Sequence, residues 1–156
     1  MATPPMVPTY ASPADLAAWL GLFLEDGVTG DPTKLPTGAT KALRSAIKAV
    51  RHETITWFFP ADPITGLPVD TDKAGALQTA TLEQAEALLE LEVDVANGGT
   101  LDAVVESSVA AQSVKITVAG AAEAAASRNA TIVGLCPEAR RTLRLAGLPT
   151  QVWVVG

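Results

Sequence analysis

Nucleophilic catalysis needs an activated side chain beside a base, and the residues that could supply one are sparse in this chain. Among 156 residues His52 is the only histidine and Cys136 the only cysteine. His52 stands between Arg51 and Glu53 in a charged stretch, the setting of a surface or boundary histidine. Cys136 precedes Pro137 in an apolar setting, where a thiol behaves as a small buried hydrophobe. A single cysteine and a single histidine also leave no disulfide framework and no Cys/His metal cluster. The acids Asp70 and Asp72, or Glu90, Glu92 and Asp94, could bind a hard cation, but they lack the alternating oxygen ligands and turn glycine of a calcium loop. A solvated face accounts for them better. Gly98 and Gly99 are followed by no Lys-Ser/Thr pair, so no phosphate cradle is built there. No catalytic residue, cofactor or metal is assigned, and an enzyme is not the expected class.

The chemistry the sequence does offer is charge arranged on helices. Lys41, Arg44, Lys48 and Arg51 recur at three- and four-residue steps and share one edge of a helix. Beside them runs an apolar stripe of Leu43, Ile47, Val50, Phe58 and the aliphatic part of Thr54. Glu83, Glu86, Glu90 and Asp94 repeat the pattern with the sign reversed, beside Leu82, Ala85, Leu89, Val93 and Ala96. Taken singly, each charged edge reads as solvated helix surface, since an exposed pair contributes only about 0.2 to 1 kcal/mol. Taken together, a basic row and an acidic row of similar length are able to meet across a subunit boundary. These eight residues are the candidate subunit interface.

Composition bounds the rest. Hydrophobic residues make up 48% and charged residues 18%, so most of the chain should fold, and its length fits one domain with a core of its own. Aromatic residues are only 4%, so the apolar surface suits close helix packing more than a roomy substrate pocket. A net charge of −6 and a pI near 4.7 argue against specific duplex recognition. An acidic body would let DNA slide past without sticking. Residues 1–9 lack the basic and apolar regions of a signal peptide, and no run reaches the roughly 18 apolar residues of a membrane span, so a cytoplasmic origin is expected.

The elements that would carry these residues follow from breakers and periodicity. Pro4, Pro5 and Pro8 predict an extended arm over residues 1–11. Ser12 and Pro13 open a first helix to about Leu24, with Leu16, Trp19, Leu20 and Phe23 facing the core. A loop spans Asp26 to Gly38, and Thr40 caps a helix from Lys41 to Phe58 that stops at Pro60. Trp57, Phe58 and Phe59 anchor its end in the core, or an exposed Trp57 anchors a partner. Turns fill Ala61 to Asp72, a short helix covers about Asp72 to Leu77, and Thr81 with Gln84 opens a third long helix to Ala96. Asn97, Gly98 and Gly99 end it. Ser113 to Ala119 alternates as a half-buried strand, and Gly120 to Arg128 is either a short helix or a lid. A last helix starts near Pro137, with Ala139, Leu143 and Leu145 partly buried, and stops at Gly147. The apolar run Gln151, Val152, Trp153, Val154 and Val155 reads as a strand that must pair, either with the Val114 strand or with another subunit. The expected fold is mainly α: a small helical bundle over residues 12–148, with a short β element at about 113–119, an arm at 1–11 and a strand-like tail at 149–156.

Several strings resemble, in order, the head-to-tail adaptors of long-tailed bacteriophages. They are Tyr10-Ala11-Ser12-Pro13-Ala14-Asp15-Leu16-Ala17-Ala18-Trp19, Leu43-Arg44-Ser45-Ala46, Gly66-Leu67-Pro68-Val69-Asp70 and Ala80-Thr81-Leu82-Glu83-Gln84-Ala85. Ser113-Val114, Leu135-Cys136-Pro137-Glu138-Ala139, Leu143 and Ala146-Gly147-Leu148 follow, so the resemblance runs from about Tyr10 to Leu148. The chain departs from that family in lacking glycines over Glu106 to Val114 and in carrying Leu88 and Leu89 where an aromatic is common. The resemblance implies a non-enzymatic protein of the virion neck, made in the host cytoplasm. Such a protein forms a ring, usually of twelve copies, beneath the portal protein and extends the DNA channel towards a stopper or tail-completion protein. It also implies a carboxy-terminal segment that reaches the portal, which fits Gln151 to Val155, and no membrane partner. A stopper-type neck subunit is the structural alternative; a small helical host regulator or hydrolase is the alternative of another class.

Overall fold

The computed structural model describes residues 9–55, 59–91 and 134–148. These form four α-helices and one short 3-10 turn, so the chain is mainly α. The strand expected at 113–119, the segment 120–128, the aromatics Trp57 and Phe58 and the tail 149–156 lie outside the described residues. Of the arm, Thr9, Tyr10 and Ala11 are described; Thr9 is exposed, and Tyr10 and Ala11 are buried.

Helix α1, Pro13–Trp19, begins as the sequence predicts. The amide of Asp15 donates to Ser12 Oγ at 3.2 Å and the amide of Ser12 donates back to Asp15 Oδ2 at 2.7 Å, a reciprocal capping box with Pro13 at the first helical position. It ends well before the expected Leu24. Gly21, at φ 73°, turns the chain left-handed, and the amides of Gly21 and Leu22 close back on the carbonyls of Ala18 and Ala17. That early stop rotates Trp19 and Phe23 out of the core they were expected to fill; Trp19 is 41% exposed. The following loop holds two ordered features the sequence did not suggest, an antiparallel bridge between Phe23 and Gly30 and a 3-10 turn, Pro32–Lys34, capped by Asp31.

Helix α2, Ala39–Glu53, is capped by the backbone of Gly38 at φ 89°, not by the Thr40 side chain. It buries Ala42, Leu43, Ala46 and Val50 and closes before Phe58. Thr54 Oγ1 donates to the Val50 carbonyl at 2.8 Å, a back-bond that competes with the helical ladder, and the β-branched Ile55 follows it. Turns are present from Ala61 to Val69, short of the expected Asp72 because the next helix already begins at Thr71: Asp62 Oδ1 accepts from the amides of Ile64 and Thr65 at 2.7 and 3.1 Å, and Ala61 bridges Pro68.

Helix α3, Thr71–Glu90, replaces the two helices expected here with one of 20 residues. Asp70 caps it by accepting from the amides of Asp72 and Lys73. Thr81, expected as a cap, sits mid-helix with its hydroxyl donating to the Leu77 carbonyl at 2.7 Å. Gln84 also leaves its expected capping role, because Gln84 Oε1 accepts the buried amide of Cys136 at 2.6 Å. Tertiary partners thus outcompete the local cap. Helix α4, Pro137–Leu145, buries Ala139 and Leu143 but leaves Leu145, expected to be partly buried, 79% exposed. Its end is a second left-handed closure: Gly147 at φ 71° donates to Arg144, and the amide of Leu148 donates to the Leu143 carbonyl at 2.8 Å. The Leu148 side chain is fully buried.

The core has two clusters, and α3 supplies both. Leu77 and Ala80 meet Tyr10, Val50, Leu135, Cys136, Ala139, Leu143 and Leu148. Leu82 and Ala85 meet Ala11, Leu16, Ala39, Leu43 and Ala46. Alanines at these contacts bring the helix axes close, as ridge-and-groove packing requires. Among the described residues no helix is long and apolar enough to cross a membrane.

Candidate functional site

The four cations of α2 follow from its periodicity. With Leu43, Ala46 and Val50 turned inward, Lys41, Arg44, Lys48 and Arg51 fall on the opposite side of the helix, and all four are exposed. None forms an ion pair among the described residues, where the salt bridges are Lys34 with Asp31 and Lys73 with Asp70. His52 is exposed beside them, and Cys136 is buried, its thiol pushed up chiefly by that burial. Asp70 is occupied as the α3 cap and pairs with Lys73 at 3.1 Å. No cluster of three or more His, Cys, Asp or Glu side chains able to hold a metal occurs among the described residues.

The acidic row is more than a solvated edge. Glu83 is half-buried, and both its carboxylate oxygens accept from the Thr142 hydroxyl on α4, at 3.0 and 2.8 Å. Burial raises the Glu83 carboxyl above its ordinary range, and the charges of Glu138 and Glu86 raise it further, against the lowering effect of Thr142. Glu86 Oε2 accepts the indole N–H of Trp19 at 2.7 Å, tying α1 to α3. Glu90 is exposed, and Asp94 lies outside the described residues, as do Gln151 to Val155.

Together Glu83, Glu86 and Glu90 line a groove of about 350 Å³ with Trp19, Ala87 and Glu138. Trp19 and Glu138 were missed from sequence because they come from α1 and α4, and only the tertiary fold brings them to α3. A second basic face was also missed. Arg141 and Arg144 are exposed, Arg140 is half-buried at the flank of the Ala139 and Leu143 side, and with Pro137 and Leu145 the three line a shallow depression of about 440 Å³. Its signal was present in the sequence as three arginines within one turn and a third of α4, with Arg141 and Arg144 turned from the apolar pair and Arg140 at its flank. Compared with protein-family models, with curated proteins and with solved structures, the chain matches none.

Proposed function

We propose that this protein is a structural component of the bacteriophage virion neck. Copies of it form a ring beneath the portal protein, join the DNA-filled head to the tail and extend the DNA channel towards a stopper or tail-completion protein. The observation that carries this reading is the separation of charge on one small helical unit. Exposed cations without acid partners among the described residues stand on α2 and α4, and a carboxylate-lined groove opens between α1, α3 and α4. A chain with both signs on different faces is suited to a heterologous contact, in which one face of each copy meets another face of the next; repeated with a rotation that closes, such contacts form a ring. The ordered resemblance from Tyr10 to Leu148 supplies the neck as the place for that ring, and the net charge of −6 suits a bore that must pass DNA without holding it. No catalytic, cofactor or metal role is part of this reading.

The test is genetic and structural together. A nonsense mutation in the gene should yield DNA-filled heads and free tails that do not join, and electron microscopy of complemented particles should show added density between portal and tail. Tailed particles forming normally without the polypeptide would refute the reading.

A further inference from the structure

We propose that the arginine face of α4 seats in the acidic groove of a second copy of this chain, so that every protomer carries both halves of one head-to-tail contact. This deepens the ring reading above and rests on it for the use made of the contact. Arg140, Arg141 and Arg144 form no ion pair among the described residues, and Leu145 next to them is the most exposed large apolar side chain of the described chain. Helical geometry turns Arg140 and Arg144 away from Glu138 and Thr142, which face the groove, so these arginines do not fill the groove of their own chain.

The groove has the complementary chemistry. Glu83, Glu86, Glu90 and Glu138 crowd like charges into one concavity, and the mutual repulsion felt at Glu83 is the repulsion an entering cation relieves. Its lining also includes the half-exposed Trp19 indole and the small Ala87. A guanidinium matches both parts: its planar fork meets carboxylates in pairs, and its flat face stacks on an indole. Leu145 would add apolar contact over Ala87. The α2 row is a poorer mate. It is spread over three helical turns, and Lys41 and Lys48 present point charges that lack the planar fork.

Sedimentation of the purified full chain, followed up to its solubility limit, tests the contact. The wild type should self-associate, less so at high salt. R140E with R144E should weaken association about tenfold or more, and so should E90R with E138R. Combining all four substitutions should restore it, while R44E with K48E should leave it near wild type. R140Q with R144Q, which keeps polarity and removes the charge, should weaken it in the same direction, and far-UV circular dichroism checks that each variant is folded. A wild type that stays monomeric throughout, an association indifferent to R140E with R144E, a failure of the fourfold variant to recover, or a loss caused by R44E with K48E alone would overturn the proposal. Particles that join heads to tails normally with the R140E and R144E chain keep the neck reading and remove this contact. The contact present in a chain that particles do not need has the opposite meaning.

Discussion

Glu83 shows how a single carboxyl can cost the fold something at neutral pH. Burial and two neighbouring glutamates hold its titration above the ordinary 4.5, so the folded chain binds that proton more tightly than the unfolded chain does. Stability from this group is therefore complete below 4.5 and declines as pH rises through the raised value. Asp26, Asp62 and Asp70 act in the opposite sense: hydrogen bonds from nearby backbone and side-chain donors hold them below 3.8, and their contribution is lost as pH falls through the lowered values. Replacing Glu83 with Gln keeps an oxygen to accept the Thr142 hydroxyl and removes the charge. E83Q should melt at a higher temperature than wild type at neutral pH, and the gap should shrink below pH 4.5, as thermal unfolding followed by circular dichroism would show. An equal gap at both pH values would mean that charge is not the cause. None of this was legible in the sequence, because Thr142 is 59 residues from Glu83 and Glu138 also arrives with α4.

At the scale of elements, the sequence announced helix starts better than helix ends. Ser12 with Asp15 and Pro13, and Pro137 on α4, act through local chemistry and stand where the pattern places them. The errors within α3 share one origin, which is competition that a local pattern does not contain. Thr81 and Gln84 have the spacing of a cap, yet Leu77 and Cys136 claim their side chains and the helix runs through. Gly21 was read as an internal helix residue, but its positive φ ends α1 and sends Trp19 to the groove. The candidate site was legible only as far as single helices show it: both charged rows follow from periodicity, whereas the groove needs three helices at once. The end of α4 offers a direct check. Gly147→Ala places a β-carbon at φ 71°, where the left-handed conformation costs an L-residue about 1–2 kcal/mol. No neighbouring atom crowds that β-carbon, so the loss measured in urea should stay within this range, with an unchanged m-value. A loss well beyond it would point to contacts other than backbone strain.

On the scale of the molecule, α2 and α3 each serve both core clusters: Val50 with Leu77 and Ala80 in one, and Leu43 and Ala46 with Leu82 and Ala85 in the other. Two clusters sharing two continuous helices should unfold together. L77A and L82A should each cost about 2–5 kcal/mol and each move the same single transition; two separable transitions would show that the clusters melt independently. Charge is segregated at this scale too. Of 11 lysines and arginines, four stand on the outer side of α2 and three on α4, although the chain is acidic overall. The closing turn of α4 has a mechanical side. Because Leu148 lies wholly within the core and its amide is fastened to Leu143, a pull on the chain beyond it meets a bolt set in the interior before it reaches the thread of the helix. Tension arriving at Leu148 is therefore felt first among the side chains that it touches.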